Sequence, residues 1–241
     1  MIRSVSGSDD FTPIIGNRTT ALVIDTCSAI DILRVPARYS DSSHGAREIQ
    51  AASSLIEDCS NANGKSLIIL PYPVITEITD HKNDGLEELR KAIEVAKSKI
   101  GIFSEIQSVF GQPSSIRFPE NELVDAGAAL ERLVDDLVNN AICIEESQQA
   151  VTAAHRRVVS GTAPAKKGSQ QWKDCTIVEH ILEVAPRLSE AGCQQIILIS
   201  SNKNLIRQQA PHALAGAPAL PCTGRAHAAH ARSSLRDRIA D

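Results

Sequence analysis

The feature that most constrains the fold of this chain is an uninterrupted apolar run over residues 21–24 that leads directly into Asp25. A short apolar run bounded by polar residues is typical of a strand that is buried on both faces, as in a parallel sheet. Asp25 would then stand at the carboxyl end of the strand, where open parallel sheets bind their ligands. The alternative is that Asp25 is only a cap or turn residue before the helix that follows. The stretch by itself supports both interpretations equally.

Three more apolar runs of strand length follow, at residues 66–70, 141–144 and 195–199. Helical patterns separate them: one over 46–59, one from about Val74, one or two over 84–110, one from Asn121, one over 148–159 and one over 172–185. Strands that alternate with helices predict an α/β fold with a mainly parallel sheet and right-handed crossovers. A fifth strand at about 214–220 has weaker support.

The composition indicates a soluble globular protein, with 42% hydrophobic and 22% charged residues. No apolar run approaches the roughly 20 residues of a membrane span, and the first 17 residues are too polar for a signal peptide. The six cysteines form no Cys-x-x-Cys pair, and Cys27, Cys143 and Cys175 lie in apolar stretches, which predicts unpaired core thiols. We therefore expect a cytoplasmic protein that does not bind a membrane.

The net charge of −4 does not indicate a polyanion partner, but its distribution is uneven. Between Glu146 and Asp174 there is no acid, and five basic residues fall there: Arg156, Arg157, Lys166, Lys167 and Lys173. A basic segment beside an acidic site is a reasonable contact surface for a phosphate backbone. A solvated basic face explains the segment equally well.

Three acids occupy positions that a parallel sheet brings to its carboxyl edge. Asp25 ends the first predicted strand, Glu77 lies early in the helix after the second, and Asp174 opens the helix before the fourth. Carboxylates that crowd together repel, so a cluster of them persists only if a cation compensates the charge. Oxygen ligands suit Mg²⁺ or Mn²⁺, which can bind a phosphate oxygen and activate water. This pattern predicts phosphodiester hydrolysis. A small-molecule phosphatase would need a second acid two residues after Asp25, where Cys27 stands.

Four short blocks, in this order, resemble the signature blocks of PIN-domain nucleases: VIDT at 23–26, VITE at 74–77, WKDCTI at 172–177 and LISSN at 198–202. The resemblance spans residues 20–208 and is closest to the larger bacterial variant of the family. It implies a three-layer α/β/α sandwich around a mostly parallel sheet of four or five strands, and a Mg²⁺- or Mn²⁺-dependent ribonuclease activity. It also implies a polar N-terminal arm over 1–19, a nuclease domain over 20–209 with a helical insertion around 84–140, and a loosely ordered tail over 210–241.

The resemblance assigns the metal to Asp25, Glu77 and Asp174, which together with Asn202 would form the catalytic set. Asn202 is a departure, because the family often has an acid there. The loss of that charge keeps open the alternative of a catalytically weak scaffold that binds RNA or a protein without cleavage. The expected substrate contacts are Lys166, Lys167, Lys173 and Ser200. The expected partner is RNA, with a protein inhibitor and a second copy of the chain as further candidates.

Overall fold

The computed structural model describes residues 3–7, 9–39, 42–111, 119–165 and 171–201. Its sheet has five strands, all paired in parallel in the order β1-β4-β3-β2-β5. The strands are β1 (Arg3–Val5), β2 (Thr20–Ile24), β3 (Ser66–Pro71), β4 (Ala141–Ile144) and β5 (Gln195–Ile199). Helices flank this sheet, so the predicted α/β/α sandwich with a parallel sheet is confirmed.

The helices are α1 (Thr12–Ile15), α2 (Thr26–Arg38), α3 (Ser42–Ser60), α4 (Tyr72–Val109), α5 (Glu120–Asn139), α6 (Gln148–Ser160) and α7 (Trp172–Glu190). The single helix α4 replaces the separate helices predicted from Val74 and over 84–110. Gly85 lies within α4 without breaking it, and a Cβ there would stand 3.0 Å from Cδ1 of Leu33 in α2. This glycine therefore allows α4 and α2 to approach closely.

The central strands are buried on both faces, as their continuous apolar runs predict. Residues 21–24 of β2 and 67–70 of β3 are all buried. In the register of the sheet, Val23 lies opposite Ile69 of β3 and Ile24 lies opposite Ile199 of β5. The carboxyl ends of β2, β3 and β5 consequently meet at one edge.

The N-terminal residues contribute more to the core than their polarity predicts. Arg3–Val5 form the edge strand β1, which pairs with β4, and Phe11, Ile14 and Ile15 are buried. The strand escaped sequence analysis because three residues are too few to show a period. The division into an arm, a domain and a tail stays a prediction. The tail and the strand predicted at 214–220 lie outside the described residues.

Every cysteine in the described part of the chain is free. Cys143 and Cys175 are buried as predicted, whereas Cys27 is exposed, which corrects its prediction as a core residue. Cys27 lies in the first turn of α2, and the side of this turn that it occupies does not face the core. None of the described helices has both the length and the apolarity that a membrane-spanning segment requires.

Candidate active site

Asp25 joins the carboxyl end of β2 to the first turn of α2. Its Oδ1 accepts a hydrogen bond of 2.7 Å from the backbone N–H of Ser28, which makes it the N-cap of α2. Its Oδ2 accepts a hydrogen bond from the hydroxyl of Ser200. The side chain is only 4% exposed, and burial raises the pKa of its carboxyl. Asp25 therefore is a helix cap, as one interpretation of the sequence predicts, and it also lies at the edge that the other interpretation requires.

The pairing of β2 with β5 explains why Ser200 reaches Asp25. Ile24 lies opposite Ile199, and the backbone N–H of Asp25 donates to the carbonyl of Ile199 at 3.1 Å. One residue further on, the backbone N–H of Ser201 donates to Oγ of Ser28 at 2.9 Å. The segment after β5 is thus held against the first turn of α2 by backbone and side-chain hydrogen bonds.

Glu77 connects three helices through its two carboxylate oxygens. In the second turn of α4, its Oε2 accepts a 2.6 Å hydrogen bond from the hydroxyl of Thr26 in α2. Its Oε1 lies 2.6 Å from the ammonium nitrogen of Lys173 in α7. Val74 and Ile78 of α4 are buried in the core, which leaves Glu77 on the side of the helix that meets α2 and α7.

Asp174 lies in the first turn of α7, where the helix dipole favours a negative charge. Burial raises the pKa of its carboxyl, and the charges of Asp25 and Glu77 raise it further. The three predicted acids are therefore close enough to act on one another electrostatically, although they are separated by 52 and 97 positions in the sequence.

The thiol of Cys27 reports the same crowding. Its pKa is raised to about 11, first by burial and then by the charges of four carboxylates: Asp25, Asp31, Asp174 and Glu77. A thiol with this pKa stays protonated at neutral pH, so Cys27 is neither a thiolate ligand nor a nucleophile. The four acids surround it with negative charge.

The donor set of this site suits a hard divalent cation better than zinc, because it offers carboxylate and hydroxyl oxygens without histidine. Mutual repulsion among Asp25, Glu77 and Asp174 would be relieved by such an ion. Within the described ranges, however, no three histidine, cysteine or acidic side chains are arranged closely enough to form a ready metal cage. Ligation would require small rotations of these side chains, beginning with the separation of Glu77 from Lys173.

The remaining predicted site residues divide into two groups. Lys173 contacts Glu77 and Ser200 contacts Asp25. Asn202, Lys166 and Lys167 lie outside the described residues.

Arg157, from the predicted basic segment, is engaged within the fold. Its Nε donates to Oε1 of Glu179 at 2.6 Å, and its guanidinium also contacts the carbonyl of Ala163. It therefore anchors the chain after α6 and does not present a free charge to a phosphate.

Sequence analysis missed three residues at this edge. Thr26 supplies the hydroxyl that orients Glu77, and its position directly after Asp25 was the available signal. Tyr72 and Trp172 are the first residues of α4 and α7, and both are exposed. Exposed aromatic side chains in a chain with only 3% aromatic residues were the signal for these two.

Comparison with known proteins agrees with this geometry. The family model described as PIN domain matches residues 22–205, about three quarters of the chain. The match contains Asp25, Glu77 and Asp174. No curated protein and no solved structure matches the chain.

Proposed function

Because this chain belongs to the PIN-domain family, we propose that it is a metal-dependent endoribonuclease that hydrolyses phosphodiester bonds in RNA. The observation that carries the proposal is the electrostatic interaction among Asp25, Glu77 and Asp174 at the carboxyl edge of the sheet. Acids that repel one another within a fold are costly unless they serve a site. Their positions on three different elements, after β2, in α4 and in α7, argue against a local structural reason.

Mg²⁺ or Mn²⁺ is the proposed cofactor, held by Asp25, Glu77 and Asp174. When bound, the ion supplies Lewis acidity toward a phosphate oxygen and a water molecule. The chain itself orients the ligands. Ser28 and Ser200 fix the two oxygens of Asp25, and Thr26 fixes one oxygen of Glu77. Hydrogen bonds that hold a ligand in place are a general requirement for metal affinity.

Lys173 would bind the substrate in this proposal. Its ammonium group is 61% exposed, so it reaches solvent beside the carboxylates while it contacts Glu77. A divalent ion near Glu77 would repel this ammonium and free it for a phosphate oxygen. We expect the RNA backbone to pass on this side of the site, and we expect the protein to act in the cytoplasm.

A catalytically weak scaffold that binds RNA or a protein partner is the second candidate. It is favoured by the occupation of both Glu77 oxygens by Thr26 and Lys173. In such a protein Lys173 would replace the metal permanently, and the uncharged Asn202 would add no charge to attract one.

The deciding experiment incubates the purified protein with end-labelled RNA in the presence of Mn²⁺ or of a chelator. We expect internal cleavage with Mn²⁺ only, and none with Asp174→Asn. Asp10→Asn is the matched control, because Asp10 lies far along the chain from the three acids and caps a turn near Thr12. RNA binding without cleavage would favour the scaffold, and cleavage that persists in chelator would contradict the metal dependence.

A further inference from the structure

Two of the seven aromatic side chains of this protein lie exposed at the edge of the sheet that carries the acids. Tyr72 is 47% exposed and Trp172 is 39% exposed. Tyr72 directly follows Pro71, the last residue of β3, and Trp172 directly precedes Lys173. Exposing a large aromatic ring to water is unfavourable compared with burying it, and both rings lie beside polar groups of the candidate site.

The ion pair between Lys173 and Glu77 places these two aromatic residues near each other. It ties the first turn of α7 to the second turn of α4, and the two helices also contact each other elsewhere. Tyr72 begins α4 five residues before Glu77, and Trp172 begins α7 one residue before Lys173. The two rings therefore belong to neighbouring helix ends on the side where the acids converge.

We infer that Tyr72 and Trp172 form a stacking platform for unpaired bases, so that the substrate of this site is single-stranded RNA. This inference rests on the proposed ribonuclease function and names the class of its substrate. Aromatic rings stack on every base, but only when the face of the base is not covered by a neighbour in a duplex. Lys173, between Trp172 and Asp174 in the sequence, supplies a cation for the adjacent phosphate.

Two exposed aromatic residues on the distal half of α4 do not share this environment. Phe103 and Phe110 are 60% and 75% exposed, but Phe103 lies 31 residues after Tyr72. On a continuous helix this separation is roughly 45 Å. Exposure alone therefore does not define the platform; proximity to the acids does.

The test uses the fluorescence of Trp172, which is the single tryptophan of the chain. The Asp25→Asn protein is titrated in chelator with a short single-stranded RNA, so that the RNA is not consumed and one negative charge is removed. Binding is followed in parallel by the anisotropy of a label on the RNA. We expect saturable quenching of Trp172 by the single strand and much weaker quenching by a blunt duplex of the same sequence.

Variants in the same background provide the second measurement. We expect Tyr72→Leu to weaken single-strand binding about tenfold, the usual size for the loss of one base–aromatic stack, and Tyr72→Phe to retain it. Phe103→Leu is the matched control and should change nothing. Trp172→Phe should also retain affinity, which separates stacking from any effect of Trp172 on folding.

Three results would overturn the inference: no detectable RNA binding, binding that leaves the emission of Trp172 unchanged, or equal affinity of Tyr72→Leu and the parent protein. The last two would point instead to a protein partner for the aromatic surface. The cleavage assay with wild-type protein and Mn²⁺ is independent. Cleavage without quenching would remove the platform and leave the nuclease, whereas quenching without cleavage would do the reverse.

Discussion

The ammonium nitrogen of Lys173 lies 2.6 Å from Oε1 of Glu77, so a cation of the protein itself occupies a carboxylate that the family resemblance assigns to the metal. The pair joins α7 to α4 across 96 positions of sequence. Its interaction with Glu77 raises the pKa of Lys173, which therefore stays charged at neutral pH. Because Lys173 is largely exposed, solvent screens the pair, and a divalent ion can compete with it.

Replacing Lys173 with Met should tighten Mn²⁺ binding. A unit charge a few ångströms from the ion is lost in well-solvated surroundings, so we expect about a fivefold lower dissociation constant by isothermal titration calorimetry. Lys91→Met is the control, because Lys91 forms a similar pair with Glu87 at 3.7 Å on the exposed surface of α4. If Lys173→Met binds Mn²⁺ more weakly than the control, Lys173 supports the ion and does not compete with it.

The two roles of Asp25 can be separated by comparing Asn and Ala at this position. Asparagine is as good an N-cap as aspartate, so Asp25→Asn should leave the free energy of unfolding unchanged or raised without added metal. Asp25→Ala removes the cap of α2 and the acceptor of Ser200, and should cost about 1–2 kcal/mol in urea denaturation. Both should abolish cleavage. A loss of stability in Asp25→Asn equal to that in Asp25→Ala would mean that the charge of Asp25 is structural.

Asp174→Asn should raise stability at neutral pH and less so at acidic pH. The pKa of Asp174 is above its ordinary value of 3.8 in the folded protein, because burial and the charges of Asp25 and Glu77 disfavour ionisation. Its contribution to stability is therefore complete below that ordinary value and is lost as the pH rises through the raised pKa. In chelator, the melting temperature of the variant should exceed that of the wild type by a few degrees at neutral pH, and the difference should shrink on acidification.

Asp10→Asn is the control for this pH dependence. Hydrogen bonds from Thr12 lower the pKa of Asp10, so its sign is opposite: ionised Asp10 favours the folded state. Its replacement should not raise the melting temperature at neutral pH. A difference between Asp174→Asn and wild type that is constant with pH would show that Asp174 is not strained by its neighbours.

Replacing both Lys166 and Lys167 with Ala should weaken RNA binding and lower its dependence on salt. Fewer counterions are released when fewer lysines contact phosphates, so the slope of log affinity against log salt should fall by about 2. The matched control replaces Lys65 and Lys91, since Lys65 precedes β3 at the opposite edge of the sheet. Identical slopes for the lysine pair variant and wild type would identify the segment as a solvated connector.

The sequence by itself determined the architecture and the edge at which the acids lie. Strands β2 to β5 were predictable because burial on both faces leaves a continuous apolar run, a signal that needs no knowledge of distant residues. Asp25 was located by the end of such a run. The boundary of α4 was not predictable, because Gly85 can break a helix in water but here fits closely against Leu33. The edge strand β1 exists through its pairing with β4, which a three-residue segment does not reveal.

Only the tertiary structure decided the partners of the acids. That Glu77 contacts Thr26 and Lys173, and that Asp25 accepts from Ser200, depends on which sides of α4 and α7 face α2 and on the register of β5 against β2. These contacts join residues 51 to 175 positions apart. A local pattern of apolar residues records which side of an element is buried. It does not record which polar side chain from another element lies next to a given carboxylate, because that is set by packing in three dimensions.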